Sequence, residues 1–257
     1  MASESLISVL QRHHGAFHPV VPFDPATDKL YLFDFTAGNR ELTPEQIAHT
    51  ESLAAYINST LARHRCRYGI GGYGEHRTLY GRSKHFDNVP SALDPGGETS
   101  PGSPNSPAPP EPRRLHLGTD IWGPAGTKLM SPLDGIVHSF AFNNNDSDYG
   151  ATLIVSHNLG GASFHTLYGH LSLNSLGNLQ EGKNIRKGEV IGEFGMRFEN
   201  GNWPPHLHFQ LIRDMEGWKG DYPGVCKFSE RGQWLDNCPD PDLILQMNQY
   251  LQIGFGF

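Results

Sequence analysis

From Leu115 onward the chain is a succession of short runs of β-branched and aromatic residues, each stopped by turn formers. GTKLMSPLDGIVHSFAF, GATLIVSHN, SFHTLYGHLS and HLHFQLI are punctuated by Asp134-Gly135, Asn143-Asn144-Asn145 and Gly160-Gly161. Runs of this length and type fit a pleated, half-buried surface, and Asp-Gly and Gly-Gly pairs supply the positive φ of hairpin turns. GKNIRKGEVIGEFG reads as a further turn-rich β segment. The expected fold class is mainly β: an antiparallel sheet or sandwich over about 115–215, with a small α+β region before it. Composition agrees. With 30 Gly and 19 Pro in 257 residues and only 18% charged, the chain suits many strands joined by tight turns, not a helical bundle.

The part before residue 94 is patterned differently. Residues 5–13 suit a short amphipathic helix, and FHPVVPFDPATDKLYLFDFT reads as extended segments because its prolines break helix. Thr43-Pro44-Glu45-Gln46 is a helix start: Thr43 caps, Pro44 occupies the first helical position, and Gln46 completes a capping box. Ile47, Ala54, Ile57 and Leu61 follow at helical spacing, which predicts a helix over about 44–65. The Gly-rich stretch 68–86 lacks a phosphate loop's Gly-Lys-Ser/Thr ending. It reads either as a β-turn segment or as a wall of a pocket carrying Glu75, Arg77 or Tyr80. Residues 94–114, almost free of apolar side chains, read as a Pro/Ser/Gly linker or disordered loop. The expected division is therefore 1–93, 94–114, 115–215, and a C-terminal extension, 216–257, that wraps the core and ends in a short helix near 240–252.

A formal charge of −7 argues against nucleic acid as the main partner, since no basic surplus exists to displace counterions. No stretch approaches the roughly 20 apolar residues of a membrane span. The start, MASESLISVLQRHHGAF, has neither a cationic lead nor a small-residue cleavage pattern, so the expectation is a cytoplasmic protein, or an extracellular or periplasmic one if a leader has been removed. Cys66, Cys226 and Cys238 form no CxxC pair and do not suit a disulfide framework; they read as buried or idle thiols, with a Cys226–Cys238 pair the alternative in an oxidising setting.

Among 14 histidines, those with a geometric reason stand out. In PPHLHFQLI, residues i and i+2 of a strand share a face, so His206 and His208 project together, half of a zinc site. In HLGTDIWGPAGT, His116 and Asp120 are four apart, but Gly118, the β-branched residues and Gly123-Pro124 argue for a bent strand rather than a helix. In HTLYGHLS, Gly169 allows a bend before His170. Taken singly, each motif is as compatible with a surface or core histidine as with a ligand.

HxxxD, then GH, then HxH, in that order and each on a β segment, resembles the lysostaphin/LytM-type zinc metallopeptidases. The resemblance covers about 115–212 and extends to Gly118, the PAGT turn, Asp134-Gly135, Tyr149-Gly150 and His157. It implies a compact antiparallel β domain with a groove over one Zn²⁺ per chain. It assigns His116, Asp120 and His208 as metal ligands and His170 and His206 as catalytic histidines, with a fourth metal position open to water. It also gives His157 a place as a groove or surrounding hydrogen-bonding residue. Tyr168 reads either as groove wall or as core packing.

The activity this resemblance implies is that of a zinc metalloendopeptidase acting on a Gly-containing or peptidoglycan-type peptide. The metal would lower the pKa of its water to about 7, and without an HExxH glutamate a histidine must take the proton. The other histidine would then donate to the developing oxyanion. Two other classes stay open: a cytoplasmic zinc hydrolase of a small amide, and a non-catalytic regulatory module. The Gly-rich segment before residue 94 is a further candidate to cover the groove, with Glu75 or His76 as a fourth ligand.

Overall fold

The computed structural model describes residues 4–87 and 110–251. Most of the expected 94–114 linker, residues 94–109, lies outside the described residues.

The first part carries helices α1 (Leu6–Arg12), α2 (Pro44–Ala48) and α3 (Thr50–His64), and strands β1 (Leu30–Phe33) and β2 (Tyr68–Gly71). The capping box at Thr43 and Gln46 forms as its residue types require. The helix expected over 44–65 is interrupted at His49, whose extended backbone (φ −117°, ψ 122°) ends α2 and lets Thr50 begin α3 in a new direction. Thr50 explains the break: its hydroxyl donates to the Asn202 carbonyl at 2.8 Å, a tertiary contact that a continuous helix would misplace.

The second part supplies β3 (Arg113–His116), β4 (Thr119–Trp122), β5 (Lys128–Met130), β6 (Gly135–Asn143), β7 (Gly150–Leu159), β8 (Ala162–Leu171), β9 (Asn184–Ile185), β10 (Val190–Glu193) and β11 (His206–Ile212). The tail adds β12 (Val225–Lys227), α4 (Arg231–Asn237) and α5 (Asp242–Leu245). The principal sheet has eight strands in the order β1-β2-β4-β11-β8-β7-β6-β9, with two-stranded ribbons β10–β5 and β12–β3 beside it. All its pairings are antiparallel except β1 with β2. The mainly β expectation is met. The stretch before residue 94 is not a separate layer: β1 and β2 extend the same sheet, through β2 against β4.

Strand alternation divides the side chains between two faces. Ile121, Leu207, Phe209, Leu211, Leu153, Val155, Phe164 and Tyr168 belong to the larger core cluster. The opposite face carries Asp120, Trp122, His206, His208 and Gln210. There the registers set His206 against Trp122, and His208 against both Asp120 and Gly169. Two smaller apolar clusters flank this second face. One is built on Phe33, Phe35, Leu53 and Ile57, the other on Leu117, Ile154, Tyr222 and Cys238. The first part and the tail thus wall in the polar stripe between them. Cys66, Cys226 and Cys238 are free thiols, the last two buried, so the Cys226–Cys238 disulfide is not formed. Among the described residues no helix is long and apolar enough to cross a membrane.

Candidate metal centre

His116 ends β3, and the chain turns through Leu117-Gly118 so that Asp120 returns in β4 beside it. Gly118 is required by contact: a Cβ there would stand 2.6 Å from the His208 ring and 2.8 Å from the Phe209 carbonyl. His208 comes from β11, paired directly with Asp120. His116 Nε2, His208 Nδ1 and Asp120 Oδ1 close a triangle with edges of 3.0, 3.2 and 3.2 Å. All three residues are nearly sealed from solvent.

The tautomers decide what this triangle is. The other nitrogen of His116, Nδ1, donates to the Gly72 carbonyl at 2.9 Å. The other nitrogen of His208, Nε2, donates to Gln210 Oε1 at 2.9 Å, and Gln210 is oriented by its own amide donating to the Pro223 carbonyl at 3.1 Å. Both inward nitrogens are therefore bare lone pairs facing a carboxylate oxygen. Three acceptors with no proton among them repel one another unless a cation sits between them. Two imidazoles and a carboxylate are a zinc donor set, and tetrahedral zinc at its usual ligand lengths sets donors about 3.4 Å apart, close to the separations here. The residues fit the ion.

His170 and His206 stand at the same face. By simple alternation along β8, His170 would follow Thr166 and Tyr168 into the core. A left-handed backbone at His170 (φ 64°) reverses that and delivers the ring to the site. Its Nδ1 donates to the Asn200 carbonyl at 2.8 Å, and His206 Nδ1 donates to the Pro204 carbonyl at 2.8 Å. Both therefore offer Nε2 as an acceptor, and His206 Nε2 lies 4.0 Å from Asp120 Oδ1. Trp122 stacks on His206 with ring centroids 3.9 Å apart and fixes its plane. With both Nε2 atoms bare, neither neutral ring can donate to an oxyanion; that role requires the imidazolium.

Burial, with Arg77 adding to it, lowers the pKa of His116 to about 4, and burial lowers that of His206 to about 4. Burial and the neighbouring His206 and His208 hold His170 well below the usual histidine range. Burial alone would raise Asp120, but His116 and the Arg77 guanidinium outweigh it and keep the carboxyl well below its usual range. Asp120 is thus held as a carboxylate and His116, His170 and His206 toward the neutral form, the protonation states that metal binding needs.

This geometry decides one open reading, that of Tyr168, and corrects the expectation for His157. Tyr168 does not line the groove. It pairs in register with Phe209, on the face opposite His208, and is fully buried in the main core. His157 lies on that same core face, opposite Phe164; its Nδ1 donates to the Asp134 carbonyl at 2.8 Å and its Nε2 meets the Thr166 hydroxyl at 2.8 Å. It touches neither the groove nor the ligands. The fourth-ligand idea also fails. Glu75 accepts from Arg77 Nε at 2.7 Å and from the Phe35 amide at 3.0 Å, and His76 packs edge-on against Phe228.

Beyond the expected ligands and catalytic histidines, further residues complete the site: Arg77 and Tyr80 line the cleft, as the pocket-wall reading of 68–86 expected, and Gln210 is the one that the sequence did not single out. Arg77, 1% exposed, donates Nη1 to Asp120 Oδ2 at 2.5 Å. Gln210 holds His208, and the Tyr149 hydroxyl lies 3.3 Å from the same His208 nitrogen. The cleft above the triangle has about 200 Å³ of open space, with Tyr80 and Phe86 on one wall and Trp218 and Tyr222 on another.

Residues 114–220 match a family model, Peptidase family M23. Among solved structures the chain is similar to a zinc-containing peptidase from Vibrio cholerae, at 29% identity over 38% of this chain and 27% of that one, with a TM-score of 0.31. It is also similar to a putative peptidase M23 from Pseudomonas aeruginosa, at 22% identity over 55% and 45% of the two chains, with a TM-score of 0.33. A third is the antimicrobial peptidase lysostaphin from Staphylococcus simulans, at 22% identity over 55% and 47%, with a TM-score of 0.35. The chain spans less than half the length of each of these three. No curated protein matches it.

Proposed function

We propose that the protein, whose residues 114–220 match the model of Peptidase family M23, is a zinc metalloendopeptidase that hydrolyses a peptide bond, in a Gly-containing or peptidoglycan-type peptide. The observation that carries this reading is the proton-free triangle of His116, Asp120 and His208, with two further histidine acceptors beside it.

When bound, zinc supplies Lewis acidity toward the scissile carbonyl and makes water acidic enough to attack near neutral pH. The chain does the rest. Asp120 brings one negative charge, so the loaded site keeps net positive charge for the tetrahedral intermediate. His170 or His206 accepts the proton of the attacking water at Nε2; the resulting imidazolium is the group able to donate to the oxyanion or to the leaving amine. The two rings lie 4.1 Å apart between centroids, so a second proton on the pair is disfavoured. His206, nearer Asp120, is the better place for the first.

A second reading, a zinc hydrolase of a small amide, rests on the size of the cleft: about 200 Å³, narrowed in part by Tyr80, Phe86 and Tyr222 from outside the matched stretch. The test is zinc per chain by elemental analysis in wild type and in His208→Ala, followed by a panel of Gly-containing peptides, murein fragments and small amides. One zinc per chain, lost in the variant, with peptide turnover supports the endopeptidase. Turnover of amides alone moves the assignment to the second reading. A wild type that stays metal-free after zinc addition and dialysis overturns both.

A further inference from the structure

The metal triangle is not held by the M23 stretch alone. Residues 71–77 run alongside His116. The His116 amide donates to the Glu75 carbonyl at 3.0 Å, the Gly74 amide to the His116 carbonyl at 2.9 Å, and the Arg77 amide to the Arg114 carbonyl at 2.9 Å. The carbonyl of Gly72 accepts from His116 Nδ1 at 2.9 Å and also from Arg77 Nη2 at 3.2 Å. Two of the three candidate ligands are therefore oriented by one short segment that lies outside residues 114–220.

Arg77 is the centre of that segment. Its guanidinium is 1% exposed. It spans Asp120 Oδ2 at 2.5 Å, Glu75 Oε2 at 2.7 Å and the Tyr80 hydroxyl at 3.1 Å. Gly71, paired with Asp120 in register, makes room for it: a Cβ there would stand 2.7 Å from Nη2 and 3.3 Å from Asp120 Cβ. A cation buried this deeply is costly unless its donors are used, and here they occupy the outer oxygen of Asp120. That leaves only Oδ1 to face the two imidazoles.

We propose that Arg77 is a positioning residue for the metal site: its fork holds Asp120 by Oδ2, so that the carboxylate binds zinc through Oδ1 alone, and the region before residue 94 is thereby part of the metal centre. The inference rests on the zinc reading of the site proposed above. The fork's geometry is separable from the charge of Arg77, which also acts on Asp120 and His116. Arg77→Lys keeps the charge and loses the fork, which isolates that geometry.

The experiment is zinc affinity by chelator competition, on full-length wild type, Arg77→Lys and Glu75→Gln, with folding checked by near-UV circular dichroism. Outer partners of metal ligands contribute about 10- to 100-fold in affinity. Arg77→Lys is expected to bind zinc weaker by that factor. Glu75→Gln, which frees the far side of the guanidinium, is expected to shift affinity the same way by less, and it keeps the test open if Arg77→Lys does not fold. A structural role alone would lower thermal stability and leave the affinity of the folded protein unchanged. Kinetics give a second readout: kcat falls in Arg77→Lys while KM stays within about twofold, since Arg77 is sealed from substrate. Wild-type affinity in folded Arg77→Lys, or in Glu75→Gln where Arg77→Lys fails to fold, overturns the inference and leaves the zinc reading standing. A wild type that binds no zinc overturns the two together.

Discussion

His170 and His206 lie ring to ring, centroids 4.1 Å apart and 30° from parallel, each with its Nδ1–H donated to a main-chain carbonyl. The pair therefore works at Nε2 and carries one proton at a time. His170→Ala and His206→Ala are each expected to lower kcat by about 10²- to 10⁴-fold, the range for loss of a positioned acid–base group. Zinc content should stay at the wild-type value in both, because neither ring belongs to the triangle. The double variant should be scarcely worse than the more damaging single one, as for residues that act as a unit. Single-turnover rates measured alongside metal analysis check this. Loss of activity that simply tracked loss of zinc would remove these residues from the chemistry.

Gly118 makes a sharper test of the triangle than a ligand deletion, because it changes no donor. The missing Cβ would meet Cε1 and Nε2 of His208 at 2.6 Å, and the Phe209 carbonyl blocks retreat on the other side at 2.8 Å. In Gly118→Ala the His208 ring must leave the position it holds against Asp120 and Gln210. Zinc affinity is expected to fall by at least about tenfold, comparable to the loss of an outer partner of a metal ligand, in a protein whose far-UV spectrum is unchanged. Chelator titration of the two proteins decides it.

These two sites differ in how far the sequence announces them. The period of a strand places His206 and His208 on one face, and Gly118 between β-branched residues marks a bend rather than a helix, so His116 and Asp120 can be brought together on paper. His170 resists the same logic. Alternation assigns it to the core, and only its left-handed backbone turns it back, a choice made by the Tyr149 and Asn200 contacts of the folded protein. Arg77 is harder still: its partner Asp120 is 43 residues away, and the two meet only because β2 pairs with β4. The helix break at His49 has the same origin, since Thr50 answers to Asn202, 152 residues on. Local periodicity reads faces and turns; it does not read which distant segment will cover a face. The same parity, applied to Tyr168 opposite Phe209, would have placed that tyrosine in the core.

Tyr168→Phe tests that placement. The hydroxyl bonds to Thr166 at 3.1 Å in a fully buried setting, and burial lifts its pKa beyond any accessible range. Removing it should cost about 1 kcal/mol of stability, the net value of a typical buried hydrogen bond. KM and kcat are expected to match wild type. A change in KM without a change in denaturation midpoint would return the side chain to the groove.

His157 carries a pH dependence of stability that is separate from the metal site. Its ring is 4% exposed and sits between the Asp134 carbonyl and the Thr166 hydroxyl, with His165 and the Asp134 carboxylate acting on it in opposite senses. Burial lowers its pKa from 6.5 to about 4. The folded protein therefore resists a proton that the unfolded chain accepts. Stabilisation is complete above pH 6.5 and is lost as pH falls toward 4, where both states are protonated. The shift corresponds to about 3 kcal/mol at about 1.4 kcal/mol per pKa unit. His116, His170 and His206 are depressed as well, so the contribution of His157 is read as a difference. In zinc-free protein, the stability gap between wild type and His157→Gln should be widest above pH 6.5 and shrink by about 3 kcal/mol on the way to pH 4. Urea denaturation at four or five pH values across that window measures it. A gap that is flat with pH would mean that His157 titrates alike in the folded and unfolded chains, and that burial does not hold it neutral.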